Sequence, residues 1–270
     1  MNVDLNGMVA VVTGSSAGIG YGIAEALARN GAKVVVTSRS SEKAEEIAKK
    51  INSISGADIM GVPFDLSNKG DAQAILEKTI GRFGHLDLLV NNAFDLNSLV
   101  QILKSDEDGL DAAITSNVTN VMNLTRLAHP HLIKRRGNAS IINIASVIVN
   151  KHLLGLSVYA VIKGAIQQLT KALAAEWAAD GIRVNAINPG FIRTEAYSSK
   201  GISAKVIEER YDYYKGYHPL GRVGEPQEIG ALAVFLASKQ SALITGGLID
   251  VDGGYSIQGL PLYEQTNPEA

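Results

Sequence analysis

The sequence predicts an α/β fold built on one parallel, doubly wound sheet with helices on both faces. Three observations carry this expectation. Short runs of branched apolar residues alternate with longer helix-patterned segments, a glycine-rich turn follows the first run, and no linker, charge block or tandem repeat divides the 270 residues. Strands buried on both faces read as such unbroken apolar runs. One domain over residues 1–270 is expected, length alone being a soft guide to domain number.

In order along the chain, "MVAVVT" (8–13) precedes the glycine turn and the helical "YGIAEALARNG", "KVVVTS" (33–38) precedes "SEKAEEIAKKI", and "IMGVPF" (59–64) precedes "GDAQAILEKTIGRFG". Further buried strands are expected at "LDLLVNN" (86–92), "ASIINIAS" (139–146), "IRVNAINP" (182–189) and "GLIDVDGG" (247–254), each bounded by turn residues. From Tyr159 to Ala178 the spacing predicts a buried helix, with Ala160, Ile162, Ala165, Ile166, Leu169, Leu173 and Trp177 recurring every three or four residues. Two segments break the rhythm. Residues 191–218 hold five of the nine tyrosines and read as an irregular substrate lid, and the tail, 255–270, reads as flexible or as packing on a partner.

Composition narrows the function classes. Hydrophobic residues make up 46% and charged residues 19%, enough apolar surface for a packed core. Lysine plus arginine number 25 against 27 acidic residues, so the overall positive field that drives nucleic-acid binding is lacking. No apolar run is long enough to span a bilayer, and the opening "MNVDLNGMVAVV" shows no basic segment followed by a signal core. With no cysteine, disulfides and thiolate metal sites are excluded; cytoplasm is the expected location, and no metal site is expected.

In "VVTGSSAGIGYGIAEAL", Gly14, Gly18 and Gly20 lie where the first strand turns into the first helix. Glycines here let the backbone approach a pyrophosphate, which the helix N-terminus attracts through unpaired N–H groups and about half a positive charge. The spacing is G-x-x-x-G-x-G, different from the common dinucleotide fingerprint, and the lysine of a nucleotide-triphosphate loop is absent. The second strand ends in Ser38 and Arg39 with no carboxylate before Glu42. A cation there suits the 2′-phosphate of NADP, whereas NAD sites place an acid. Asp65 reads either as an acceptor for an adenine amino group or as the N-cap of the next helix. "NNA" (91–93) follows the fourth strand at its carboxyl end, where open α/β sheets bind ligands, or simply satisfies loop backbone.

Tyr159 and Lys163, four apart, share one face of their helix. The spacing alone is weak, because Tyr211 and Lys215 repeat it in "ERYDYYKGY". Context separates the pairs. Tyr159 opens a strong helix after a strand whose end presents Ser146 at the cofactor edge, while Tyr211 lies in the irregular tyrosine-rich segment and reads as lid packing or surface.

Taken together, "TGSSAGIG" (13–20), "NNA" (91–93), Asn117 in "TSNVTNVMNLTRLA", Ser146, Tyr159, Lys163, "NAINPGFIRT" (185–194) and "DVDGG" (250–254) make the sequence resemble the classical short-chain dehydrogenase/reductase family over nearly its whole length. The resemblance implies a seven-stranded Rossmann-type sheet, nicotinamide chemistry, and a homodimer or homotetramer built partly from the helices holding Asn117 and Tyr159. It implies cofactor contacts from Gly14, Ser16, Gly18, Ile19, Gly20, Ser38, Arg39, Asp65, Leu66, Asn92, Ala93, Tyr159, Lys163, Pro189, Gly190, Ile192 and Thr194. Tyr159 would give a proton to a substrate carbonyl oxygen. A free tyrosine, with pKa about 10, does this poorly near neutrality, and the Lys163 charge would lower it by ~1–3 units. Ser146 would hold the carbonyl oxygen and Asn117 would support a water path for proton resupply. Three positions depart from the pattern. Ala17 stands where many NADP-preferring relatives have a base, leaving Arg39 as the main phosphate partner; Phe94 replaces the glycine usual after "NNA"; and Ile162 replaces the small polar residue usual before the lysine.

The expected activity is NADPH-dependent reduction of a ketone to a secondary alcohol. NAD-dependent oxidation of an alcohol or sugar hydroxyl is the alternative, and a non-catalytic cofactor-sensing protein is the alternative of another class. Tyr197, Tyr211, Tyr213, Tyr214 and Tyr217 read equally as pocket lining or as lid packing, and His152 as solvated or facing substrate.

Overall fold

The structure is a computed structural model and describes residues 3–194 and 201–259. Seven parallel strands form one sheet: β1 Val9–Val12, β2 Lys33–Ser38, β3 Ile59–Pro63, β4 Leu88–Asn91, β5 Ser140–Ile144, β6 Arg183–Pro189 and β7 Leu248–Val251. Every strand expected from an apolar run is present, trimmed by up to three residues at an end. The helices are α1 Gly18–Arg29, α2 Ser41–Ser55, α3 Lys69–Phe83, α4 Glu107–Ile114, α5 Asn120–Leu132, α6 Ser157–Glu176, α7 Ala204–Lys215 and α8 Pro226–Ala237.

Alternation along the strands divides the core into two layers. Ala10, Val12, Val34, Val36, Leu88, Val90 and Ile142 face one side, where they meet Ile23 and Leu27 of α1, Ile47 and Ile51 of α2, and Ile229 and Ala233 of α8. Val11, Val35, Leu89, Ile141 and Val184 face the other, against Ile75 and Leu76 of α3, Leu124 and Ala128 of α5, and Ile166 and Leu173 of α6. Val9 to Val12 are fully buried, as a strand covered by helices on both faces must be.

The strand order is β3-β2-β1-β4-β5-β6-β7. The chain winds outward one way from β1 through β3, then returns and winds the other way from β4. The reversal between β1 and β4 opens a crevice at the carboxyl ends of the strands, the place where such sheets bind ligands.

The region after β6 corrects one expectation. Tyr211 lies in a regular helix, α7, and the irregular reading of its surroundings fails. Ser203 caps that helix by accepting from the Val206 N–H, so a local capping signal outweighed the aromatic composition. Tyr197 and residues 260–270 of the tail lie outside the described residues. Among the described residues, no helix is long and apolar enough to cross a membrane.

Candidate active site

The glycine turn and the "NNA" segment are built as one unit across the β1–β4 crevice. Thr13 Oγ1 accepts from the N–H groups of Asn92 and Ala93, both at 3.0 Å. The Asn92 amide returns two bonds, to the carbonyls of Thr13 at 2.8 Å and Gly14 at 2.9 Å. Gly14 has φ +62°, and a Cβ there would lie 2.8 Å from the Ala93 Cα; a Cβ on Gly20 would collide with the Gly14 carbonyl and the Asn92 amide. Both glycines are therefore demanded by close backbone approach. The side chain of Asn92 thus orders the loop.

Helix α1 begins at Gly18 after Ala17, which offers no side-chain cap. The end of β2 is tied to the same loop: Gly14 N donates to Thr37 Oγ1 at 2.8 Å and Thr37 N to Ser15 Oγ at 2.8 Å. Ser16, Gly18 and Ile19 are half-buried along the turn, Ser38 is half-buried at the strand end, and Arg39 is exposed, makes no salt bridge among the described residues and acts on Asp65 only through its charge. Glu42 is held by the Ser40 hydroxyl at 2.6 Å, a bond that lowers its pKa. Asp65 accepts from Ser67 N–H and Oγ, which lowers its pKa, and the cap of α3 is Asn68 instead. Leu66 is buried, and its carbonyl accepts from the Asn120 amide.

At the chemical end, α6 is stapled to the end of β5 by two side chains one turn apart. Lys163 Nζ donates to the Ile144 carbonyl at 2.7 Å, and Gln167 Nε2 donates to the Ser146 carbonyl at 3.2 Å. Tyr159, Lys163 and Gln167 fall four apart, so the staple places Tyr159 one further turn toward the crevice. Gln167 also reaches Asn188 Oδ1 on β6 at 3.2 Å and so joins three elements. It went unremarked in the sequence because a glutamine on a helix face carries no local signal.

Ser146, 8% exposed, accepts from the Ile148 N–H at 3.2 Å, and its hydroxyl proton has no acceptor among the described residues. Lys163 is buried, and burial pushes its pKa down to about 8. Its ammonium lies 4.9 Å from the Phe94 ring centroid and 5.7 Å from that of Tyr159. Phe94 meets Tyr159 edge to face at 5.1 Å. The residue that departs from the family pattern therefore packs directly on the Tyr–Lys pair.

Asn117 sits in a π-helical turn, Thr115–Thr119, between α4 and α5. The widened turn lets its amide donate to Ser98 Oγ at 2.8 Å and the Ala113 carbonyl at 2.9 Å, while its Oδ1 accepts from Asp95 N–H at 2.9 Å. Two of these three bonds reach the loop beyond β4, and the third closes on α4.

Pro189 ends β6, and a Cβ on Gly190 would lie 2.7 Å from Asp252 Cβ. Ile192 is buried and Thr194 half-buried on the strip that follows. The second Tyr-x-x-x-Lys pair is structural: the Tyr211 hydroxyl accepts from Thr194 N–H at 2.9 Å and donates to its carbonyl at 3.1 Å, while Lys215 pairs with Asp212. Tyr214 stacks on Phe191 at 3.9 Å, whereas Tyr213 and Tyr217 are exposed and hydrogen-bonded to each other. His152 is exposed. No group of three or more metal-ligating side chains exists among the described residues.

A Rossmann-type sheet with this glycine turn, Ser146, Tyr159 and Lys163 at its crevice defines an oxidoreductase of carbonyl and hydroxyl groups, and the chain belongs to the short-chain dehydrogenase/reductase family. The family model described as enoyl-(acyl carrier protein) reductase matches residues 14–256. A tropinone reductase homolog of Datura stramonium is 39% identical over 259 residues, covering 94% of each chain. The 3-oxoacyl-[acyl-carrier-protein] reductase of Thermotoga maritima is 33% identical over 253 residues, covering 94% of this chain and 99% of that one. The crystal structure of L-sorbose reductase from Gluconobacter frateurii, complexed with NADPH and L-sorbose, superposes with a TM-score of 0.87 at 31% identity, covering 96% of this chain and 100% of that one.

Proposed function

We propose that the protein is an NADPH-dependent reductase that converts a ketone to a secondary alcohol. The observation that carries the NADP preference is Arg39, exposed at the end of β2 without a salt bridge among the described residues, with Glu42 engaged by Ser40. The cofactor's pyrophosphate fits the cradle left by Gly14 and Gly20 at the start of α1, where Ala17 gives no side-chain cap, with Ser16, Gly18, Ile19, Ser38, Asp65, Leu66, Asn92 and Ala93 around it. Pro189, Gly190, Ile192 and Thr194 form the wall proposed for the nicotinamide end. NADPH supplies the hydride when bound.

The chain's own residues handle the proton and the oxygen. Ser146 donates its unclaimed hydroxyl proton in a hydrogen bond to the substrate oxygen, as an oxyanion donor does. Tyr159 gives its proton to that oxygen as charge develops on it. The Lys163 ammonium, held rigid by the Ile144 carbonyl, favours the tyrosinate left behind. The tyrosine-rich segment 191–218 serves as the substrate lid, with Tyr211 and Tyr214 tying α7 to Thr194 and Phe191 on the strip that follows β6. A homo-oligomer, dimer or tetramer, is part of this reading.

Comparing NADPH with NADH in wild type and Arg39→Ala tests it. The variant is expected to lose roughly 10–100-fold in kcat/KM with NADPH, the equivalent of a charge-assisted hydrogen bond, and nothing with NADH. A wild-type preference for NADH that Arg39→Ala leaves untouched supports alcohol oxidation instead.

A further inference from the structure

Ser146 lies just beyond β5 and opens a short turn that sets where its hydroxyl points. Its Oγ accepts from the Ile148 N–H at 3.2 Å and so caps the turn Val147–Val149. The Val147 carbonyl then accepts from the N–H groups of Asn150 at 2.9 Å and Lys151 at 3.0 Å. Residues 146–151 are therefore held to one another as a single piece. Gln167 pins the near end of that piece through the Ser146 carbonyl.

Lys151 pins the far end. Its Nζ donates to the Tyr255 carbonyl at 2.8 Å, across 104 residues of sequence, and lies 4.4 Å from the centroid of the Tyr255 ring. Lys151 makes no salt bridge among the described residues, so the carbonyl and ring of Tyr255 are what hold its ammonium. Tyr255 is a firm anchor: it is 5% exposed, and its ring packs on Phe191 at 5.2 Å and His218 at 5.8 Å. Its N–H donates to the Asp252 carbonyl at 3.1 Å. Asp252 in turn abuts Gly190, whose N–H donates to the Val251 carbonyl at 3.0 Å. Gly190 belongs to the wall proposed for the nicotinamide end, and Phe191 follows it. The Lys151 side chain thus joins the loop that carries Ser146 to the segment that backs that wall.

We infer that Lys151 is a positioning residue for Ser146: its clasp on Tyr255 fixes the 146–151 turn, and with it the hydroxyl, relative to the nicotinamide wall. An oxyanion donor is most effective when it is already aimed at the oxygen, because no reorganisation is then needed as charge develops. A misplacement of about 1 Å can cost roughly 100-fold in rate, and a serine held on a loop needs such a tether. The clasp stands on the geometry; its service to the reaction rests on the reductase reading.

Two measurements on the full-length protein test the clasp and its role separately. Hydrogen exchange, without cofactor or substrate, reads the turn. Lys151→Met keeps the stem but loses the donor and the charge, and its amides at 148–151 are expected to exchange roughly tenfold faster, about the worth of one hydrogen bond to a charged group. Lys151→Arg keeps donor and charge and is expected to exchange nearly as the wild type does. NADPH oxidation with a ketone then reads the role. Lys151→Met is expected to lower kcat about tenfold with KM for the ketone unchanged, and to lower it no further in a Ser146→Ala background, where no hydroxyl remains to be aimed. Lys151→Arg is expected to recover most of the loss. Unchanged exchange in Lys151→Met overturns the clasp, whether or not the enzyme turns over a ketone. Faster exchange with an equal loss of kcat in both backgrounds overturns the positioning role. A wild type that reduces no ketone, with exchange responding as expected, sinks the reductase reading and the positioning role together while the clasp stands.

Discussion

Lys163 is the residue at which function and stability oppose each other. Burial lowers its pKa from 10.5 to about 8, so the folded state binds its proton less readily than the unfolded chain does. The resulting destabilisation, about 3 kcal/mol, is fully present below about pH 8 and fades as pH rises toward 10.5, where the unfolded lysine also deprotonates. Replacing it with a neutral side chain of similar length removes this penalty. Lys163→Met is expected to be more stable than wild type in urea unfolding at pH 7 and inactive in turnover, with the stability difference narrowing between pH 8 and 10.5. A variant less stable at pH 7 contradicts this account of the buried charge. On the proposed mechanism, this loss of stability is the cost of a buried charge, held only by a neutral carbonyl, where the chemistry calls for it.

At the scale of elements, what could be read from the sequence was what depends on local pattern. Every strand was legible because a strand buried on both faces has no polar position to hide its boundaries, and the first helices because their apolar stripes repeat. Helix α7 was missed because its amphipathic signal is weak and only Tyr211 is buried, so the tyrosines masked the Ser203 cap. The π-turn at Asn117 was invisible for another reason: it is held by Ser98 and Asp95, residues distant in sequence. The bridging by Gln167 likewise rests on tertiary hydrogen bonds. Helix α8, which the sequence reading did not single out, starts with a capping box, in which the Glu228 side chain accepts from the Glu225 N–H and pairs doubly with Arg222, at 2.8 and 2.6 Å. The Arg222 bond comes first among the causes that hold Glu228 near a pKa of about 2. Its contribution is present above about pH 4.5 and lost as pH falls toward 2. Because Glu228 is 39% exposed, solvent screens the pair, and Glu228→Gln is expected to cost about 1 kcal/mol near neutrality. Thermal unfolding checks this: the difference from wild type should close at acid pH, and a constant difference contradicts it.

For the whole molecule, the reversal of winding between β1 and β4 brings a glycine cradle and a Tyr–Lys helix to one edge, though the two lie nearly 150 residues apart in sequence. The same fold leaves apolar side chains exposed on several helices, among them Met122 of α5 at 48% and Val161 of α6 at 64%. These are the helices on which the homo-oligomer reading places the subunit contact. Val161→Glu is therefore expected to lower the mass seen in sedimentation toward that of one chain, whereas an unchanged mass moves the contact elsewhere. The central claim is that Tyr159 supplies the proton in carbonyl reduction at this edge. Its most direct test is Tyr159→Phe, assayed by single-turnover NADPH oxidation with a ketone the wild type reduces, alongside NADPH binding by fluorescence. The account predicts a rate lower by at least about 100-fold with cofactor affinity unchanged; a rate equal to wild type would contradict it.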